Sequence, residues 1–106
     1  SDILNNDQPP PITIEKIINE VARTLGVSPQ DIKSSKRSAS ISNARQISMY
    51  IVREITQLPL VTIGDHFGGR DHSTIVYALQ QVEKNLTKDQ KTKAMVEDII
   101  KNIRDS

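Results

Sequence analysis

"FGGRDHSTIVYALQQ", residues 67–81, sets a double glycine, an arginine, an acid, an imidazole and two hydroxyls ahead of an apolar pattern of helical period. Catalysis, metal binding, phosphate cradling and DNA reading all use such residue types. Catalysis needs a nucleophile or acid–base pair oriented by a third group, and the neighbours Asp71, His72 and Ser73 fan apart around a helix start instead of converging. For metal, His66 and His72 are the two imidazoles of the chain. They fall on different predicted elements and lack the i, i+4 spacing that puts two ligands on one helical face. Neither G-x-x-x-x-G-K-[ST] nor G-x-G-x-x-G occurs, so Gly68 and Gly69 do not form a nucleotide loop. A helix-turn-helix remains: Ile63 and Phe67 on the inner face of a short first helix, Gly68-Gly69 as the turn, and Asp71 as N-cap. His72, Ser73 and Thr74 then occupy the exposed first turn of the second helix, where base edges and phosphates are met. The competing structural reading is an ordinary capped helix in a bundle.

Outward from that stretch, the 106 residues suit one domain with a modest core. Aromatics are 3% of the chain, too few for the stacking platforms of single-strand binders. The absence of cysteine excludes disulfide, zinc-finger and thiol chemistry. No apolar run approaches a membrane span, and the N-terminus lacks a signal-peptide pattern. The net charge of +1 conceals a segregation. Residues 32–53 carry Lys33, Lys36, Arg37, Arg45 and Arg53 with no acid, whereas residues 1–31 hold five acids against Lys16 and Arg23. Such a block is an electrostatic footprint of the kind phosphate backbones select, or else a solvated loop.

Residues 1–12, ending "DQPPPI", read as a linker, because three prolines favour an extended chain. Thr13 caps a helix with Ile14, Ile17, Ile18, Val21, Ala22 and Leu25 on one face, and Gly26 stops it. "SPQDI" predicts a short helix with Ser28 as cap, Pro29 at its first position and Asp31 completing an S-x-x-D box. "KSSKRSASIS" is polar, small and aperiodic, which predicts a loop. Helical period returns at "NARQISMYIVREITQL", where Asn43 and Gln46 suggest a capping box and Pro59 an end. The helix-turn-helix follows, its second helix placing Ile75, Ala78, Leu79 and Val82 on the core. Thr87 with Gln90 predicts the start of a last helix through Ala94, Met95, Ile99, Ile100 and Ile103, with a frayed final turn. No segment alternates as a strand, so the fold class is all-α.

"IGDHFGGRDHSTI", residues 63–75, closely resembles the signature of the C-terminal DNA-binding domain (domain IV) of the bacterial DnaA family of chromosomal replication initiators. "KSSKRSASISNARQISMYIVREIT" resembles that family's basic loop and following helix, including the pair Arg45-Gln46. The resemblance covers about residues 12–104. It implies a compact, Trp-repressor-like helical domain over residues 13–106, joined by residues 1–12 to an AAA+ module that lies outside this chain. It further implies binding of double-stranded DNA at the asymmetric DnaA boxes of a replication origin, by a monomer, in the cytoplasm and at the nucleoid. No cofactor is implied for this domain, ATP belonging to the AAA+ module, and membrane lipid would act only through the full-length protein.

Carried over by position, Arg37, next to Lys36, resembles the loop arginine that enters the minor groove. Asp71, His72, Ser73 and Thr74 match the base-reading group, and Arg45, Gln46 and Arg53 match residues expected at phosphates. Arg70 fits either a phosphate contact or a pair with Asp65, and Tyr77 and Gln81 lie within reach of the backbone. Ala39 and Ala44 stand where many members have arginine and proline, and Pro59-Leu60-Val61 where many have Ser-Leu-Pro. These departures bear on the number of DNA contacts. Independently of the family, Arg45 and Gln46 are expected at a helix N-terminus, whose amides and dipole favour a phosphate. The alternative function is a helical protein-interaction domain whose basic loop meets an acidic partner.

Overall fold

The computed structural model describes residues 12–105, which contain six helices and no strand. They are α1 (Ile14–Leu25), α2 (Pro29–Lys33), α3 (Ala39–Thr56), α4 (Leu60–His66), α5 (His72–Lys88) and α6 (Gln90–Asp105). The linker expected over residues 1–12 lies outside the described residues except for Ile12, which packs against the core and so belongs to the domain.

Each helix start has a local cause. Thr13 Oγ1 accepts from the Lys16 amide at 3.1 Å, and Gly26 closes α1 at φ 73°. Ser28 Oγ accepts from the Gln30 amide at 3.2 Å, with Pro29 behind it. The predicted S-x-x-D box does not form, because the Asp31 carboxylate turns outward to Lys36 Nζ at 2.9 Å.

Two predicted boundaries are corrected. The loop expected through Ser42 ends at Ser38, and α3 begins at Ala39, so Asn43 and Gln46 are interior residues and not a capping box. Nothing between Ser38 and Asn43 breaks a helix, and the Ser42 amide bonds the Ser38 carbonyl at 2.9 Å. Similarly, α5 runs to Lys88, and the Thr87 hydroxyl donates back to the Lys84 carbonyl. Asp89 is the cap of α6, accepting from the Lys91 amide at 3.0 Å and the Thr92 hydroxyl at 2.8 Å.

The long helix α3 packs against each of the other five. Its buried face, Ala44, Ile47, Met49, Ile51 and Val52, meets Ile17, Ile18 and Val21 of α1, Ile32 of α2, Ile63 of α4, and Ile75 and Ala78 of α5 in one core. The last helix adds Val96, Ile99 and Ile103, while Ala94, one of its expected apolar positions, is exposed.

The α4–α5 turn decides where α5 points. Phe67 is fully buried beneath it, and Gly68 and Gly69 take φ 84° and 74°, which side chains rarely adopt. The Gly64 carbonyl accepts from the amides of Phe67, Gly69 and Arg70, each at 3.0 Å. A Cβ on Gly64 would lie 2.1 Å from the Arg70 carbonyl oxygen, so only glycine lets the chain fold back there.

Gly64→Ala should therefore destabilise the domain by at least about 1–3 kcal/mol, the scale of overpacking that only backbone movement relieves. Gly69→Ala, with open space around its Cβ, should cost only its left-handed backbone, about 1–2 kcal/mol. Urea titrations rank the two, and a smaller loss for Gly64→Ala than for Gly69→Ala would remove the close approach as a constraint.

Candidate nucleic-acid interface

Helix α5 presents its polar first turn because Asp71 caps it. The Asp71 Oδ1 accepts from the Thr74 amide at 2.9 Å, which leaves His72, Ser73 and Thr74 exposed around the helix start. The Thr74 hydroxyl, then its amide, hold the Asp71 carboxyl below the ordinary carboxylate range. One turn on, Tyr77 is 58% exposed, unusual for an aromatic in a domain this size.

The short loop 34–38 rises beside this turn. Ser34 Oγ donates to the Asp31 carbonyl at 2.7 Å and accepts from the Lys36 amide at 3.1 Å, a local turn that throws Lys36 and Arg37 outward. Arg70 Nη2, just past the glycine turn, donates to the Ser34 carbonyl at 2.9 Å. Arg37, Arg45, Gln46, Arg70, Thr74 and Tyr77 thereby share the walls of one cleft of about 210 Å³.

The basic block is less free than its sequence implies. Lys33 Nζ pairs with Glu15 at 2.9 Å and Lys36 Nζ with Asp31 at 2.9 Å. Arg53 donates to the carbonyls of Gln57 and Leu58, closing the C-terminal end of α3. Arg53 is exposed and is not among the residues lining the cleft. Only Arg37, of the five, makes no hydrogen bond or ion pair among the described residues, and it is exposed.

Arg45 departs most from expectation. It lies in the second turn of α3, not at its N-terminus, and is 5% exposed. Its Nε donates to the Ile32 carbonyl at 2.7 Å and its Nη2 to the Asp31 carbonyl at 3.0 Å. Gln46, beside it, is half-buried in the same second turn. Of the two expectations for Arg70, the pair with Asp65 does not form among the described residues, and its bond goes instead to Ser34. Sequence reasoning passed over Gly64 and Ser34. A glycine inside the helical stretch "VTIGDH" was the available signal of a close backbone approach, whereas one of the five serines in "KSSKRSASIS" gives none.

Among the described residues no group of three or more His, Cys, Asp or Glu side chains is placed to hold a metal ion, and no helix is long and apolar enough to cross a membrane. The geometry is that of a helix-turn-helix flanked by a basic loop. A family described as "Bacterial dnaA protein helix-turn-helix" matches residues 14–82.

The chain belongs to the bacterial DnaA helix-turn-helix family.

The chromosomal replication initiator protein DnaA of Thermodesulfovibrio yellowstonii is 47% identical over 97 residues, covering 92% of this chain and 22% of the relative. A solved structure described as a DNA replication initiation factor matches with TM-score 0.78 at 34% identity, over 87% of this chain and 28% of that one. The chain thus spans 22% of the length of its DnaA relative. The DnaA family match takes in α1 through most of α5 and stops at Val82, so α6 lies beyond it.

The Asp71 cap carries a pH signature. Its folded carboxyl is held low, so its contribution is present above the unfolded value and is lost as pH falls through the depressed folded value. Carboxyl-detected NMR should find Asp71 titrating below the ordinary range, and Thr74→Val should raise it. An unmoved midpoint in the variant would show that the Thr74 hydroxyl does not bond the carboxylate.

Proposed function

We propose that this chain binds double-stranded DNA sequence-specifically at DnaA boxes of a bacterial replication origin, as one monomer per asymmetric box. The first turn of α5 reads the major groove, and Arg37 reads the adjacent minor groove. The observation that supports this best is the shared cleft: exposed, hydrogen-bonding side chains at the start of α5 stand beside the one unengaged cation of the basic block. An exposed helix start flanked by a basic arm fits two neighbouring grooves at once.

The reading chemistry follows from the residue types. Asp71 accepts from cytosine N4, Thr74 offers its methyl to thymine, and Ser73 offers a hydroxyl to a base or phosphate. His72, at the exposed end, contacts base or phosphate edges. Arg37 supplies a guanidinium to the negative potential of a narrow A·T minor groove. Lys36 holds Asp31 only through an exposed pair, worth about 0–1 kcal/mol, and exchanges it for a phosphate at little cost. Gln46 donates to the backbone from the cleft wall. In the cell the chain works at the nucleoid in the cytoplasm, as the DNA-addressing part of an initiator whose nucleotide chemistry resides elsewhere.

Thr74→Ala should lose about 1–3 kcal/mol on a cognate box and little on scrambled duplex, the scale of one base contact. Equal weakening of both would remove Thr74 from base reading.

The minor-groove assignment is tested on the DNA. Inosine lacks the amino group that guanine N2 places on the groove floor. Under the loop, I·C replacing A·T should be tolerated and G·C penalised, and Arg37→Ala should erase that difference. Equal penalties for I·C and G·C would put the loop on phosphates or in the major groove.

A further inference from the structure

Two guanidinium groups, Arg45 and Arg70, sit close enough to feel each other's charge, and neither has an ion pair among the described residues. Arg45 is nearly inaccessible, and burial first, then the charge of Arg70, push its guanidinium down from its ordinary value. Arg70 keeps a buried Nε without any hydrogen-bond partner. A desolvated donor and a like-charged neighbour both cost free energy. Something must compensate for holding them there.

The compensation is a run of backbone carbonyls. Arg45 donates to Asp31 and Ile32, and Arg70 donates to Ser34. Asp31 and Ile32 lie at the C-terminal end of the five-residue α2, at the negative end of its dipole, and the Asp31 carbonyl also accepts from the Ser34 amide and hydroxyl. The Lys33 carbonyl, between them, lies where a Cβ on Gly68 would approach it to 2.9 Å. Of the four consecutive residues leading into the loop, three thus have carbonyls held by guanidiniums, and the fourth, Lys33, passes close to the glycine turn. One arginine comes from α3 and the other from the turn into α5, so the loop is tied to both.

We propose that Arg45 and Arg70 are positioning residues: by bonding the Asp31, Ile32 and Ser34 carbonyls they set the register of Arg37 against the first turn of α5, coupling minor-groove to major-groove reading. This rests on the DNA-binding reading above and assigns the two arginines a role other than neutralising phosphates. Geometry separates their tolerances. Arg45 serves two successive carbonyls with two N–H groups of a planar fork, which a lysine ammonium cannot reproduce. Arg70 serves a single carbonyl, which a lysine can reach.

The test uses duplexes carrying I·C or G·C under the loop, and a second set altered only under α5. Wild type should bind I·C duplexes about fivefold or more tighter than G·C duplexes. Arg45→Lys and Arg45→Met should bring that ratio to about one while leaving the α5 penalties in place, and Arg70→Lys should keep the wild-type ratio. If Arg45→Lys also keeps it, and Arg45→Met merely weakens every duplex with a salt slope smaller by about one, Arg45 is a phosphate cation and the proposal is overturned. Because Arg45 variants risk misfolding, the wild-type Arg45 Nε–H is measured as well. It should exchange slowly with solvent in the free chain and in the complex alike. Fast exchange in the free chain that slows only with DNA would overturn the bracing role. Failure of wild type to prefer a box over a scrambled duplex would instead sink the DNA-box reading, leaving the exchange measurement to judge the brace.

Discussion

The chain reverses direction between α4 and α5 because the Gly64 carbonyl gathers three amides while the Arg70 carbonyl sits where a side chain at residue 64 would be. Both features need the two backbone segments in direct contact, and only glycine permits that. The exit direction of α5, the burial of Phe67 beneath the turn and the placement of Arg70 beside the loop all follow from it. Gly68 and Gly69 supply the positive φ values that complete the reversal. The direction of α5 is therefore set by a tight backbone contact beneath it, while the Asp71 cap orders its first turn.

The electrostatics of the chain show how little a charge count says about available charge. The acid-free block contributes five cations, yet two are paired with carboxylates and two are committed to carbonyls. Exposed pairs such as Lys36–Asp31 contribute little stability and yield readily to a stronger anion. Buried Arg45 differs: releasing it would strand the end of α2 and uncover a desolvated charge. One sequence motif thus divides into mobile charge and structural charge, and accessibility draws the line.

Much of the fold is legible in local patterns. Thr13 and Gly26 bracket α1, Ser28-Pro29 opens α2, and Asp71 caps α5, because these signals act within one turn and need no tertiary partner. The misread boundaries share a cause. Ser38 to Ser42 lack an apolar period, yet they contain no breaker, so α3 extends through them. Thr87 resembled a cap, but α5 continued until Asp89 offered a better one. Short polar residues suit both helix and cap, and packing decides between them.

The sequence by itself determined the helical class, the glycine turn, the Asp71 cap and the exposed polar turn of α5, together with the likeness that points to DNA. Each depends on residue type over a few neighbouring positions, where backbone sterics and hydrogen-bond reach act. Only the tertiary structure decided which cations stand free, that Arg45 grips α2 from thirteen residues away, and that Arg70 reaches thirty-six residues back to Ser34. Those outcomes rest on which distant carbonyls come within about 3 Å of a guanidinium. That is a property of packed helices, which no local spacing encodes.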